Sequence, residues 1–503
     1  MILGPGARRG RVVAPASKSH AHRLLIAAFL AGRRDVLEAA EGDSADIAAT
    51  KRCLAALQGE EGEPVLDCGE SGSTLRFLSP VAAALGKRPK FVKRGRLAER
   101  PCMEYSSLEP GTFELSGSVS SQFATGLLFA LPLLGGDSEI RFSSPLQSKG
   151  YVRMTLDVLK KFSVSVEETA SGFFVPGRQK YSLSGDLKVE GDWSGAAFWL
   201  AMNALGSNVE VSGLDPVSAQ PDAAARSLFA ELPRKVDVSQ CPDLFPALAV
   251  AAAAREGETL FTGTARLRIK ECDRAAAMFD VLQGFGVEAK SSSDEFRVKG
   301  TSGRFRGGSF ATRSDHRIAM AIAVGATRAD SPVEIDDAAC AAKSYPRFFA
   351  EFCRMEFAGL EGAHLAAVST GSNIEPRGEY LKRALDALSK LPDTALSAAS
   401  GVVETEPVDV PEEFSHLKFL NGAALLRTRL DAREFSRRMH EIEDGLGRVR
   451  TTRNGPRTID IDLVDFDSIR CDEPDLVLPH PRAAGRDFVR RPLAELGFEV
   501  DVG

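Results

Sequence analysis

Six times within the first 335 residues a short polar cluster opens an apolar run of helical length, followed by a turn and a strand-like segment. The clusters begin at Ser17 (SKSHAHRLLIAAFLA), Glu70 (ESGSTLRFLSPVAAALG), Ser118 (SVSSQFATGLLFALPLL), Gly191 (GDWSGAAFWLAMNALG), Ser239 (SQCPDLFPALAVAAAA) and Arg313 (RSDHRIAMAIAVGA). A helix that is apolar on every side is buried on every side, so these runs belong inside their domains with sheets outside them. Two amphipathic segments between them echo each other. SKGYVRMTLDVLKKFSVSV from Ser148 and KECDRAAAMFDVLQGFGVEA from Lys270 share Asp-Val-Leu, then Phe, then Val. Such self-similarity predicts a repeated supersecondary unit of strands and helices. Past His364 the rhythm changes to strand (LAAVSTGSN), helix (GEYLKRALDALSKL), two strands (TALSAASGVVET, FLNGAALLRT), helix (DAREFSRRMHEIEDGL) and strand (RTIDIDLVDF). That βαββαβ order predicts a ferredoxin-like α+β sandwich.

The length of 503 residues exceeds what one core supports. A net charge of −6 argues against a dedicated nucleic-acid binder, and no apolar run is long enough to span a membrane. The eight cysteines form no CxxC pair and the histidines no HExxH, which predicts reduced thiols in a cytoplasmic enzyme. MILGPGARRG runs straight into the first motif without a recognisable leader. No GxxxxGK[ST] string occurs, so a P-loop kinase is excluded. The chemistry falls where the buried runs begin. An exposed helix amino end carries unpaired N–H groups and partial positive charge, and Lys18, Ser19 and Arg23 at the first of them make an anion site. Five of the six clusters carry Lys, Arg, Ser-Ser-Gln, Asp or His at this position.

The ordered motifs SKSHAHR, GESGSTLR, ERP, SVSSQF, LQSKGY, PDLFPAL, RIKECDR, SDHR and AAKSYP make residues 1 to about 355 resemble 5-enolpyruvylshikimate-3-phosphate (EPSP) synthases. The resemblance implies a two-halved inside-out α/β barrel of βαβαββ repeats. One half would be 1–14 plus 191–355 and the other 15–190, with hinges near 14–18 and 190–191. It implies shikimate 3-phosphate and phosphoenolpyruvate as substrates and no cofactor for this module. Lys18, Ser19, Arg23, Ser120, Ser121, Gln122, Ser148, Asp243 and Lys270 would hold the phosphorylated shikimate. Lys18, Gly72, Arg100, Gln122, Arg274, Arg317 and Lys343 would hold phosphoenolpyruvate. Asp243, Glu271 and Lys18 would move protons. Because Lys18 and Arg23 fall in one half and Arg317 and Lys343 in the other, substrate is expected to draw the halves together. Two departures stand out: the stretch between Asp222 and Asp243 is shorter than in longer members, and Arg266 stands where many members have Asn. UDP-N-acetylglucosamine enolpyruvyl transferase is the alternative. Its reactive Cys before the Arg-Pro is absent from KRGRLAERP, and the Ser-Ser-Gln set favours shikimate phosphate.

In GRVRTTRNGPRTIDIDL, Asp460 and Asp462 alternate on one strand and so share a face. Two such carboxylates suit Mg²⁺, with Arg448, Arg450, Arg453 and Arg457 facing a polyphosphate. GSN at Gly371, TEPV, FLNGA, IEDGLGRVR, GPRTIDIDL and LPHPRAAGRDF make this region resemble 6-hydroxymethyl-7,8-dihydropterin pyrophosphokinases. The resemblance implies transfer of diphosphate from ATP with Mg²⁺. Thr405, Phe419, Asn421 and Phe488 would line the pterin pocket, and Glu443, Arg448, Arg450, Arg457, His480 and Arg486 would contact ATP. Asn454 stands where some members have Trp, which leaves pterin stacking to the two Phe residues. A non-catalytic docking unit is the alternative. Residues 356–363 read as a short Gly-containing linker before a module of 364–503, and two separable modules are expected.

Overall fold

The computed structural model describes all residues except 39, 41, 60–61, 119, 184–185, 450–454 and 501–503. Each apolar run is a buried helix: Lys18–Leu30, Gly72–Ala84, Ser121–Ala130, Trp193–Ala204, Phe245–Ala253 and His316–Ala326. Every residue of the last two is buried. Their starts are fixed by short polar side chains that accept a backbone N–H: Ser17, Ser71, Ser120, Asp192 and Asp315 are the caps of the first, second, third, fourth and sixth. The fifth follows a 3₁₀ turn, Pro242–Leu244, with proline in its first turn.

Sheets surround the helices and remain separate from one another in hydrogen bonding, so no closed barrel forms. Two are four-stranded and mixed, one built from Thr112–Leu115, Ser138–Phe142, Gly172–Val175 and Glu167–Glu168. The other uses Lys235–Asp237, Gly257–Thr262, Glu295–Gly300 and Glu288–Ser291. Not all repeats are complete. Between the strands Lys90–Lys93 and Thr112–Leu115 only a 3₁₀ turn, Gly95–Ala98, is present, and the shortened stretch after Asp222 holds a six-residue helix, Ala225–Ala230. A helix absent from the sequence reading, Ala45–Leu57, is capped by Ser44 and carries Asp46 in its first turn. One core gathers residues between Ala21 and Tyr181; a second gathers Met1–Val12 with Trp193–Met355.

That second core does not stop at residue 355. It includes Ala367, Ala398, Leu425, Val464, Leu493 and Phe498. The reason is a two-residue strand, Ile2–Leu3, which pairs with Val333–Ile335 on one edge and with Thr394–Ala399 on the other. It thereby joins the C-terminal sheet to the first module as one eight-stranded sheet. Within it the βαββαβ strands lie in the order fourth, first, third, second: Asp460–Phe466, His364–Ser372, Phe419–Thr428, Thr394–Ala399. The helices Arg377–Ser389 and Ala432–Gly445 pack on this sheet. A hairpin and a last helix, Asp487–Glu495, follow. The fully buried Arg8 donates to the Gly4 carbonyl and lies 3.5 Å from the centre of the Phe357 ring. A Cβ on Gly4 would overlap the Leu396 carbonyl oxygen, so only glycine lets the two backbones approach here. Glu356–Phe357, at the start of the stretch read as a linker, pairs with Arg8 and Arg9. The two modules expected to be separable share a sheet and a core. No described helix is long and apolar enough to cross a membrane.

Candidate active sites

The amino ends of five buried helices meet at one cleft between the two cores. Lys18 and Ser19, Gly72 and Ser73, Ser121 and Gln122, Asp243, and His316 and Arg317 all line it, together with Arg274 at the start of the helix Arg274–Gly284. Arg23, Arg100, Ser120, Ser148, Lys270 and Glu271 complete the residues anticipated there. Lys343 does not line the cavity. It sits at the rim with its Nζ 3.0 Å from Glu70 of the opposite half. The free volume is about 90 Å³, too little for two phosphorylated substrates, since small-molecule sites usually offer roughly 300 Å³ or more. This is a closed cleft.

What fills it is internal ion pairing. Arg274 is fully buried and forks across three carboxylates. Its Nε donates to Asp315 (2.8 Å), Nη1 to Asp243 (2.8 Å) and Nη2 to Glu271 (2.7 Å). Asp243 also receives Arg317 Nη2 at 3.0 Å and Lys270 Nζ at 3.3 Å. Burial pushes Asp243 up, but Arg317, Lys270 and Arg274 outweigh it and hold the carboxyl well below the usual range. Glu271 is likewise raised by burial and held well below its usual range by Arg274 and Arg100. Lys18 reaches Asp46 at 3.0 Å. Burial lowers Lys270 and lowers the buried His316 well below the usual imidazole range.

Arg23 is tied into the scaffold, donating through Nε to Thr155 at 2.9 Å and through Nη2 to the Tyr151 carbonyl at 3.0 Å. Two pocket cations had no role in the sequence reading. Arg76, the last residue of GSTLR, donates to Gln122 Oε1 at 2.6 Å, and burial lowers it to about 10. Gln122 Nε2 in turn donates to Ser73 Oγ at 2.9 Å. A Cβ on Gly72 would lie 2.6 Å from Arg76 Nη1 and 3.3 Å from Arg100 Nη1, so glycine keeps both guanidiniums in place. The second is Arg266, whose Nη1 donates to Ser148 Oγ at 2.7 Å.

A second cavity of about 380 Å³ opens in the C-terminal module. Thr405, Phe419, Asn421, Arg448, Arg457, Asp460, Asp462, Arg486 and Phe488 line it. Glu443 and His480 do not. Glu443 is buried behind the wall and accepts the Ile461 backbone N–H at 2.7 Å, while it pairs with Arg448. That bond fixes the strand from which Asp460 and Asp462 project. Arg450, Arg453 and Asn454 lie outside the described residues. Asn421 Nδ2 donates to Thr405 Oγ1 at 2.8 Å, and Arg457 and Arg486 stand over the Phe419 and Phe488 rings at 5.5 and 5.4 Å. Arg482, Ser369 and Gly371 also line the cavity; Arg482 and Gly371 belong to motifs quoted above, without an assigned role.

Asp460 is engaged by Arg448 at 2.6 Å and by Arg457. Asp462 is pushed up by burial and by the neighbouring Asp460. Two carboxylates on one strand face, lining a cavity with Arg448, Arg457 and Arg486, are a hard oxygen donor set that fits Mg²⁺. Among the described residues no group of three or more His, Cys, Asp or Glu side chains is arranged to hold a metal ion, at this pair or elsewhere. The pair would therefore need phosphate and water oxygens to complete the shell.

The family model of EPSP synthase (3-phosphoshikimate 1-carboxyvinyltransferase) matches residues 99–232 and 224–352. A 3-phosphoshikimate 1-carboxyvinyltransferase of Clostridium kluyveri is 37% identical over 410 residues, covering 70% of this chain and 96% of its own. One from Clostridium perfringens is 36% identical over 414 residues, with 70% and 97% covered. The chain belongs to the EPSP synthase family. Residues 367–497 match the model of 7,8-dihydro-6-hydroxymethylpterin-pyrophosphokinase, so the chain is a fusion of the two. The solved EPSP synthase of Acinetobacter baumannii superposes with a TM-score of 0.56 at 21% identity, covering 71% of this chain and 98% of that one. At that identity the likeness speaks to fold alone.

Proposed function

We propose that the chain is a bifunctional transferase. The first module moves the enolpyruvyl group of phosphoenolpyruvate to the 5-hydroxyl of shikimate 3-phosphate. The second moves diphosphate from ATP to 6-hydroxymethyl-7,8-dihydropterin. For the first, the observation that carries the reading is the convergence of Lys18, Arg100, Lys270, Arg274 and Arg317 on one cleft with their charge only partly offset by Asp46, Asp243 and Glu271. Two polyanions entering would compete for those cations. Arg274 and Arg317 would turn to substrate phosphate and carboxylate, and Asp243 and Glu271 would lose the partners that keep their proton affinity low. The ion-paired carboxylates are thus weak bases that substrate would convert into useful ones. In the addition step the 5-hydroxyl oxygen bonds to the central carbon of the enol, its proton passes to a carboxylate, and a proton from Lys18 or Glu271 reaches the methylene carbon. In the elimination a methyl proton leaves to the same acid's conjugate base and inorganic phosphate departs.

In the second module Phe419, Phe488, Asn421 and Thr405 support pterin binding, and Arg448, Arg457 and Arg486 support polyphosphate binding. The hydroxymethyl oxygen bonds to the β-phosphorus of ATP and AMP departs. Asp460 and Asp462 would hold Mg²⁺, which supplies charge neutralisation between carboxylates and polyphosphate when bound. At about 4 Å one such like-charge pair costs roughly 4 kcal/mol at an effective dielectric near 20. The test follows both products in one sample of the intact chain. Chelating divalent ions should abolish pterin diphosphorylation and leave enolpyruvyl transfer nearly intact. Loss of both would refute the metal-free reading of the first site. Pterin turnover that survives chelation and Asp460→Ala would remove the Asp pair from the metal site. No pterin turnover with metal present would favour a docking unit.

A further inference from the structure

A groove of about 460 Å³ lies at the junction of the two modules and belongs to neither of the sites described above. Arg9 and Arg11 reach it from the strand Arg8–Val13, where a spacing of two puts them on one face. Arg347 and Arg354 come from the two ends of the helix Phe348–Arg354, and Arg427 from near the end of the strand Phe419–Thr428 in the C-terminal module. Five arginines thus line one groove in a chain whose net charge is −6. Glu351 and Glu356 offset two of them. Glu351 accepts the Tyr345 hydroxyl at 2.6 Å, and burial raises its carboxyl above the usual range.

The arginines keep much of their donor capacity. Arg354 and Arg427 have no carboxylate within 4 Å among the described residues. Their hydrogen bonds go to main-chain carbonyls: Arg354 Nη2 to Gly497 at 2.8 Å, Arg427 Nη1 to Ala363 at 3.1 Å and Arg427 Nη2 to Arg354. Arg427 Nε is buried and meets no acceptor. A buried guanidinium N–H without a partner costs free energy that an arriving acceptor would recover. Arg9 pairs with Glu361 at 2.8 Å and Arg11 with Glu210 at 2.7 Å, each between exposed side chains. Such pairs yield to a stronger anion at little cost.

The remaining wall is Gly10, Val12, Ala350 and Met355. Among the described residues no aromatic ring lines the groove, so nothing there would stack on a nucleobase or a pterin. The volume falls within the roughly 300–1,000 Å³ of small-molecule sites, and guanidinium forks match phosphate oxygens in pairs. We propose that the groove binds a small phosphate-bearing polyanion without an aromatic ring, of the class of inorganic diphosphate or a sugar bisphosphate, across the module junction. The site is a product of the fusion, because neither module alone supplies all of its cations.

The test titrates the full chain calorimetrically with inorganic diphosphate and, separately, with a hexose bisphosphate, in metal-free buffer at about 0.15 M salt. Both substrate sites are rich in cations and can take phosphate too, so the parent is compared with Arg427→Gln and with the double variant Arg11→Gln/Arg347→Gln, whose substituted side chains lie outside both cavities. The parent should bind one equivalent more than either variant, or bind it at least about tenfold more tightly, the loss expected for one charge-assisted bond. Whichever ligand shows the difference identifies the source of the phosphate. The double variant removes only exposed side chains, and unchanged enolpyruvyl transfer and pterin diphosphorylation show that it is folded. Equal stoichiometry and affinity in parent and double variant overturn the proposal whatever Arg427→Gln does, since that variant also gives up two junction hydrogen bonds. A difference seen only at low salt and absent at about 0.15 M overturns it as well, because it then reports diffuse charge and no built site.

Discussion

Substituting Leu3→Ala tests whether one strand belongs to both modules. Leu3 is fully buried, between Val333 of the first module and Ala398 of the second. Removing a buried leucine side chain costs about 2–5 kcal/mol, the upper end where the walls cannot collapse. The walls here are a sheet and a shared core, which collapse poorly. A value near 3 kcal/mol shifts a folding equilibrium roughly 150-fold and lowers a transition of this size by roughly 5 °C. The assay is heat inactivation with enolpyruvyl transfer and pterin diphosphorylation followed in the same aliquots. Both half-lives should shorten together. The control is Leu128→Ala, equally buried but in the core of residues 21–181, which should affect enolpyruvyl transfer much more than pterin turnover. If Leu3→Ala leaves pterin inactivation unchanged, the shared strand carries no energy and the modules are merely tethered. Hydrolysing the chain between Gly359 and Gly362, an exposed turn, makes the complementary case. The fragments should co-elute, held by the sheet, and separate elution would refute the argument in the same way.

Two further outcomes follow from buried charge. His22 is fully buried with Nδ1 2.7 Å from Thr50 Oγ1, and burial lowers it to about 3. Its unfolded value is near 6.5, so the stability it contributes is present above that pH and declines as pH falls from 6.5 toward 3, by up to about 1.4 kcal/mol per unit; His22→Asn should flatten the acid limb of a stability-versus-pH curve by about one proton, and an unchanged slope would refute the assignment. Glu70 pairs with Lys343 at 3.0 Å and is itself about half exposed. Glu70→Gln should lower KM for phosphoenolpyruvate by less than about fivefold, in keeping with an exposed pair, and a raised KM would show that Glu70 positions Lys343 instead of competing for it.

Much of the first site was legible because its residues sit where local pattern is strongest. Polar clusters that open buried helices mark Lys18, Gly72, Ser121 and Arg317, and the repeat brings those helix ends together. The Asp460–Asp462 pair was legible for a similar reason, since period two on a strand places both on one face and both line the cavity. Arg76 was visible inside GSTLR but has no feature that separates a pocket cation from a core one; only its bonds to Gln122 and the Pro101 carbonyl do so. The shared sheet was not legible. Ile2–Leu3 is two residues long, and its partner Ala398–Ala399 lies nearly four hundred positions away. A pairing that short carries no periodicity. It is stabilised by what flanks it, the buried Arg8 against Phe357 and the close approach at Gly4.

The shared sheet also decides which body moves when the first cleft opens. The pairs that hold the cleft shut cross from residues 15–190 to 191–355: Lys343 to Glu70, Arg100 to Glu271, Ser148 to Ser239, Tyr151 to Asp222. Each of these is a polar contact that water or substrate can replace. The contacts between residues 191–355 and the C-terminal module are of another kind. Beside polar contacts such as Arg354 Nη2 to the Gly497 carbonyl at 2.8 Å, they include main-chain ladders and fully buried apolar side chains, whose separation would expose hydrophobic area at about 25 cal/mol per Å². Opening is therefore expected to swing the half around Lys18–Leu30 away from a single larger body, near the backbone bridge Ala16–Gly191. The pterin cavity is built wholly from residues 369–488 and lies within that larger body. Closure of the first cleft on substrate would then pass no strain into the second site, and the fusion would give a common scaffold without obliging the two reactions to proceed in step.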